Sequence, residues 1–201
     1  MPPRQPAPKP PHKMEFATNS LRNTTLAAGD DVLYYEIVTR YWHPNVTRVV
    51  KHDFEARTLV PVAEIEDLFQ REPRVRFIGA DGAEGEWVDA GQLVAFDEQH
   101  GGTFTIGEGA EYRWRVHKGS LQLVRADDPE KTFADFHPPK RHFGVWRMSR
   151  RAYFEIKPES EVMHALEKFI VTYLLVERRR RDARIGLKLR LGRRRVPKPV
   201  H

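Results

Sequence analysis

Apolar residues between Met14 and about Ile156 come in short runs, broken about every ten residues by glycine, proline or Asp-Gly signals. That spacing predicts a sandwich or barrel of short strands rather than βαβ units. VLYYEIV (32–38) and VTRVV (46–50) are rich in β-branched and aromatic residues. VRFIG (75–79) is bounded by Pro73 and by the turn pair Asp81-Gly82, and TFTI (103–106) follows Gly101-Gly102. YRWRV (112–116) alternates, which sends Tyr112, Trp114 and Val116 to one face and Arg113 and Arg115 to the other. Lys118-Gly119 then turns the chain into LQLV (121–124), and TFADF (132–136) and YFEI (153–156) complete the set. FGVW (143–146) reads as an extra strand and 92–96 as a weaker one, while AEIEDLFQR (63–71) fits either a short helix or a strand followed by a loop.

The pattern changes after Pro158. Ser160 and Glu161 open a segment with helical periodicity over about 161–181, which carries Val162, Leu166, Phe169, Ile170, Tyr173 and Leu174 on one face. Its second half, FIVTYLLV (169–176), is apolar all round except at Thr172. A helix without a polar face has to be surrounded. From Glu161 to Glu177 it measures roughly 24 Å at the α-helical rise, short for a bilayer but suited to the middle of a small barrel. Leu166, Phe169, Ile170, Tyr173 and Leu174 are the expected core of that helix. The alternative is a buried central strand, since a β-branched run of this length fits both.

Charge divides the chain of 201 residues into three parts. Residues 178–201 carry a net +10 and residues 1–13 a net +3, which leaves −7 on 14–177. The basic balance therefore belongs to the ends, and the expected organisation is a Pro-rich tail (1–13), one domain (14–182) and a flexible basic tail (183–201). The first 13 residues hold six prolines and no apolar stretch, so they read as an exposed polyproline-like spacer or SH3-type ligand rather than a signal peptide. No run of 18 apolar residues suggests a membrane-spanning helix. With no cysteine in the chain, disulfides, thiolate nucleophiles and Cys-based zinc sites are excluded.

A run of strands followed by a hydrophobic helix, a glutamate and an arginine cluster resembles the tubby-like C-terminal fold of tubby, LURP-one-related and phospholipid scramblase proteins. That likeness implies a closed antiparallel barrel of about twelve strands around the C-terminal helix. More closely, NTTL (23–26), LYYEIVT (33–39), FTIGEGAEYRWR (104–115) and FIVTYLLVERRRRD (169–182) resemble the DUF6593 family, which is of unknown function and found largely in basidiomycete fungi. The resemblance spans about 14–182 and implies no activity, cofactor or functional residue. Residues 107–109 read Gly-Glu-Gly where the family pattern leads one to expect an Asp-Gly turn.

Candidate chemistry is sparse. His137 and His142 are five apart across two prolines, which gives no metal-ligand geometry, and His52-Asp53 are neighbours that face opposite sides of a strand. No serine sits in a G-x-S-x-G elbow, and the glycine-rich stretches 79–85 and 101–109 lack phosphate-loop spacing. Neither catalytic residues, nor a metal, nor a cofactor is expected.

The basic run has more specific physics. Arg178, Arg179, Arg180, Arg181, Arg184, Lys188, Arg190, Arg193, Arg194 and Arg195 interleave with Ile185, Leu187, Leu189 and Leu191. KLRLGRRR alternates apolar with basic, which suits a short strand or lipid-facing strip over 185–191. Each basic group near an anionic bilayer gains about 1 kcal/mol; phosphate contacts to nucleic acid or a nuclear-import patch are the alternatives. The bland reading is a solvated tail whose first arginines favour the negative end of the helix. The expected function is a non-enzymatic binding module for anionic lipid headgroups or a protein partner, inside the cell. Nucleic acid is reachable through the tail only, an enzyme at a barrel mouth is the remotest option, and nothing signals a particular oligomeric state.

Overall fold

The structure, a computed structural model, describes residues 10–29, 33–70, 72–107, 109–140, 150–158 and 160–193, with backbone alone for Ser160 and residues 186–193. Pro10 and Pro11 cannot donate to a ladder, and β1 (His12–Phe16) starts at the next residue. His12 and Lys13, read from the sequence as the end of the tail, pair with Ile156 and Glu155 of β13 (Tyr153–Ile156).

From β1 the chain meanders through β2 (Asn23–Ala28), β3 (Tyr34–Thr39), β4 (Val46–Asp53), β5 (Thr58–Glu66), β6 (Arg74–Phe77) and β7 (Val88–Asp89), each antiparallel to the one before. One helical turn, α1 (Ala90–Leu93), leads into β8 (Ala95–Phe96). A second meander follows through β9 (Gly102–Ile106), β10 (Ala110–His117), β11 (Ser120–Arg125) and β12 (Thr132–His137) to β13. The β1–β13 pairing joins the two meanders into one 13-stranded antiparallel sheet with β7 and β8 as its edges. The sheet is not closed by hydrogen bonds: no ladder links β7 to β8, although only α1 and Val94 separate them along the chain.

Local chemistry explains most elements. The β10–β11 hairpin turns at Lys118 (φ 48°) and Gly119 (φ 80°), the two positive-φ positions that a type I′ turn needs. Residues 63–66 resolve as strand and not helix, because Ala63 and Ile65 are buried while Glu64 and Glu66 meet arginines on the opposite face. The weak strand expected at 92–96 is split between α1 and β8. FGVW (143–146) lies outside the described residues. Tyr112 and Trp114 are buried as the alternation requires, whereas Val116, near the end of β10, is exposed.

The helical segment has two pieces, α2 (Ser160–His164) and α3 (Leu166–Arg193). Every residue from Phe169 to Glu177 is buried, so no side of α3 faces solvent there. Phe16 of β1, Phe136 of β12 and Phe154 of β13 pack on Tyr173, with ring centroids 5.8, 5.2 and 4.6 Å away. Trp114 of β10 lies 5.0 Å from Phe169, and its indole N–H donates to Thr172 Oγ1 at 3.0 Å. Thr172 in turn donates to the Phe169 carbonyl at 3.1 Å, so the one polar side chain of the run is satisfied as donor and acceptor. On the β9 side, Gly102 stands where an added Cβ would fall 3.5 Å from Val176 and still closer to Val94.

Past the sheet α3 keeps going. The sequence-based expectation of helix to about 181 is corrected here: the backbone is helical to Arg193, so 185–191 is not a strand. Arginine, leucine and lysine are strong helix formers, no proline lies between Pro158 and Pro197, and Gly186 and Gly192 cost only about 1 kcal/mol each. The alternation that suggested a strand is too short to override a helix already nucleated.

On the outer face, Glu64 of β5 is buried beneath two flanking arginines. Arg48 Nε donates to Oε1 at 2.6 Å and Arg76 Nη2 to Oε2 at 2.6 Å, and Arg76 also pairs with Glu84. Burial raises the Glu64 pKa, but the hydrogen bonds and charges of Arg48 and Arg76 outweigh it and hold the carboxyl below its ordinary value. A lowered folded-state pKa stabilises fully above the unfolded value of about 4.3 and less as the pH falls through the folded one. Glu64→Gln is therefore expected to lower stability at pH 7 by on the order of 1 kcal/mol and to flatten the acid limb of a melting-temperature profile below about pH 4.3; an unchanged acid limb contradicts this. Leu174→Asp, which buries an unpartnered carboxylate inside the sheet, is expected to abolish the cooperative melt followed by circular dichroism.

Candidate functional site

Strand β3 gives the molecule its direction. Near its start, Tyr35 donates its hydroxyl to Glu167 Oε1 at 3.1 Å, in the first turn of α3. At its end, the Thr39 N–H donates to the Arg22 carbonyl, Arg22 stacks on Phe69 at 4.3 Å, and the Phe69 carbonyl accepts from Arg178 at 3.0 Å. One end of the sheet thus meets the start of α3, and the other meets the helix near Glu177, where its buried run stops.

At the emergent end the arginine cluster is largely engaged. Glu177 is 3% exposed and Arg180 4% exposed. Arg180 Nε donates to Glu177 Oε2 at 2.7 Å, and its Nη1 to the Gly119 carbonyl at 2.8 Å. Arg181 Nε donates to Glu177 Oε1 at 2.8 Å, while its two terminal nitrogens reach the carbonyl and side-chain oxygens of Asn19 at 2.9 and 3.0 Å. Arg178 also pairs with Asp182 and lies 5.1 Å from the Phe69 ring. Burial, and then the charges of Arg22 and Arg181, push its pKa down. One glutamate and three arginines thereby tie the β1–β2, β5–β6 and β10–β11 connections to the helix.

The anionic-surface candidates therefore separate. Arg178, Arg180 and Arg181 hold the protein's own loops. Arg179 is exposed with its guanidinium 4.7 Å from the Phe96 ring, and Arg184 is exposed with one long contact of 3.4 Å to the Gly119 carbonyl. Lys188, Arg190 and Arg193 ride on the projecting part of α3, while Arg194 and Arg195 lie outside the described residues. The core candidates Leu166, Phe169, Ile170, Tyr173 and Leu174 are all buried.

Sequence reasoning passed over Tyr41 and Trp42. They sit in the β3–β4 turn and are 95% and 66% exposed. The turn is closed by His43 N–H to the Arg40 carbonyl at 3.0 Å, and Arg40 lies 5.4 Å from the Trp42 ring. Asn45 accepts from the Asp67 N–H at 2.7 Å, which places this turn at the emergent end of the helix, beside Phe69. The available signal was two large aromatics wedged between strand runs and Pro44.

At the opposite end an open cleft of about 800 Å³ lies between the β4–β5 turn, the ends of β5 and β6, and the α2–α3 junction. Lys51 pairs with Glu167 at 3.2 Å across its rim. Burial, and then Glu167, push the Tyr35 pKa well up, so that hydroxyl stays a donor. Among the described residues no group of three His, Asp or Glu converges on a metal-sized point, and no helix is long and apolar enough to cross a membrane. His142 falls outside the described residues.

Fold and sites together describe a mainly β protein: one antiparallel sheet packed on an apolar C-terminal helix that emerges as a basic arm. The DUF6593 profile, a family of unknown function, matches residues 19–182, and the chain belongs to that family. No curated protein and no solved structure matches it.

The buried Glu177–Arg180 pair yields a sharp expectation. Glu177→Gln leaves Arg180 buried without its counter-charge and is expected to cost about 3–5 kcal/mol, read as a lower urea midpoint. Arg181→Ala, a more exposed partner, is expected to cost clearly less; equal losses would mean that the pair is not the fastening point.

Proposed function

We propose that this protein is a non-enzymatic binding module that docks on an anionic membrane surface inside the cell, with the emergent end of α3 facing the lipid. The observation that carries this reading is the placement of the exposed Tyr41–Trp42 turn at the end of the sheet from which the basic arm projects. Tryptophan and tyrosine favour the bilayer interface, where one part of the ring system is apolar and the other wet. Beyond Asp182 the arm has six arginines and lysines up to Arg195 plus Lys198, and no acidic residue. The domain part of the chain, 14–177, is acidic, so the charge distribution turns the basic end toward an anionic surface and the acidic part away from it. Leucines interleaved with the basic residues add apolar area useful at a lipid interface and without use against phosphates alone, which favours lipid over nucleic acid. We further propose that the sheet is a closed tubby-like barrel. The short α1 link between its two edges and the all-round burial of residues 169–177 support this.

Co-sedimentation with phosphatidylcholine vesicles, with and without phosphatidylserine, tests the proposal, with a duplex DNA titration run alongside. Expected is binding to the anionic vesicles only, weakened steeply by salt. A chain ending at Asp182 is expected to lose more than about tenfold in affinity, since each basic group is worth about 1 kcal/mol. Tyr41→Ala/Trp42→Ala is expected to bind several-fold more weakly with unaltered salt dependence. No binding to anionic vesicles at low salt, or tighter binding to DNA, overturns the reading.

A further inference from the structure

The cleft at the other end has a chemistry of its own. Its floor is apolar, formed by Val60 and Val62 of β5 with Phe77 and Ile78 at the end of β6, and Phe54 lies on the rim. Lys168 on α3 and His52 on β4 line it from opposite sides. Lys168 is half-buried and has no hydrogen-bond or ion-pair partner among the described residues, and burial pushes its pKa down. His52 packs its ring 4.2 Å from Phe54, and its Nδ1 is buried without a hydrogen-bond partner.

The acidic groups nearby are already engaged. Glu167 takes hydrogen bonds from Lys51 and Tyr35, and Asp53 Oδ1 accepts the backbone N–H groups of Glu55 and Ala56. Only Glu55, on the outer turn, stays exposed without such contacts. What the cleft offers, then, is one desolvated ammonium and one imidazole above a hydrophobic floor. Burial makes an unpaired ammonium unfavourable, and an anion brought to it supplies the missing counter-charge through a charge-assisted hydrogen bond that offsets the desolvation of both. A volume of about 800 Å³ is of the size that holds small organic ligands.

We infer that this cleft binds a small amphipathic anion, a monocarboxylate with an unbranched apolar body, with the carboxylate at Lys168 and the chain along Val60, Val62, Phe77 and Ile78. The site is at the opposite end of the sheet from the proposed membrane-facing surface and shares no residue with it, so either stands if the other falls.

Calorimetric titration of the full chain with decanoate and with decylamine tests this. Decanoate is expected to bind saturably with one site, and decylamine, with the same chain and the opposite charge, at least tenfold more weakly. Lys168→Met keeps the apolar stem and removes the charge; it is expected to weaken decanoate at least tenfold, with the melting temperature confirming that it folds. Arg115→Gln, on β10 and outside both proposed sites, is expected to leave decanoate affinity unchanged. Equal affinities for decanoate and decylamine on the unaltered chain overturn the inference, as does an absence of decanoate binding, or decanoate binding that survives Lys168→Met or is lost in Arg115→Gln.

Discussion

The eight residues from Phe169 to Val176 have no polar side to turn to water, and the whole molecule is arranged around that fact. A helix of this kind is stable only when apolar side chains reach it from every direction, and a sheet supplies them by alternation, one face inward along each strand. Aromatic rings from β1, β10, β12 and β13 fill one side of the helix, and Gly102 of β9 lets backbone approach Val176 on another. The Trp114–Thr172 hydrogen bond then fixes rotation and depth: sliding α3 by one residue would leave a buried indole N–H without an acceptor.

From this constraint follows the division of labour between the two ends. Glu177 is where the buried run stops, and the protein's own arginines converge on it, fastening three connections between strands to the helix. Those arginines are part of the fold. Arg179 is left exposed among them, and beyond Asp182 α3 carries basic residues with no acidic residue following in sequence, next to a turn that exposes two aromatic rings. At the other end the chain must pass from the last strand into the helix, and the break at Ala165 between α2 and α3 leaves a cleft instead of a packed cap.

Much of this was legible in the sequence, because it depends on local periodicity. The strand runs, the Lys118-Gly119 turn, the inward Tyr112 and Trp114, and the apolar helix are each set by residues within a turn or two of one another. What escaped depends on distant partners. Arg178, Arg180 and Arg181 look alike in sequence, and only carbonyls contributed from Phe69, Gly119 and Asn19 distinguish them from Arg179 and Arg184. Lys168 and His52 meet across a cleft through no local pattern. Residues 63–66 were ambiguous because Ala-Glu-Ile-Glu suits a helix by propensity and a strand by alternation; the arginines of β4 and β6 decide it. The extension of α3 was missed because four alternating residues resemble a strand when the helix before them is left out of account.

Amide hydrogen exchange followed residue by residue tests the central claim directly. If the sheet encloses α3, the amides of Phe169–Val176 exchange only through global unfolding, with an opening free energy equal to that measured by denaturant, while those of 183–193 exchange far sooner. Exchange of 169–176 as fast as that of the projecting arm would mean that the helix leaves the sheet without unfolding it, and it would contradict the account.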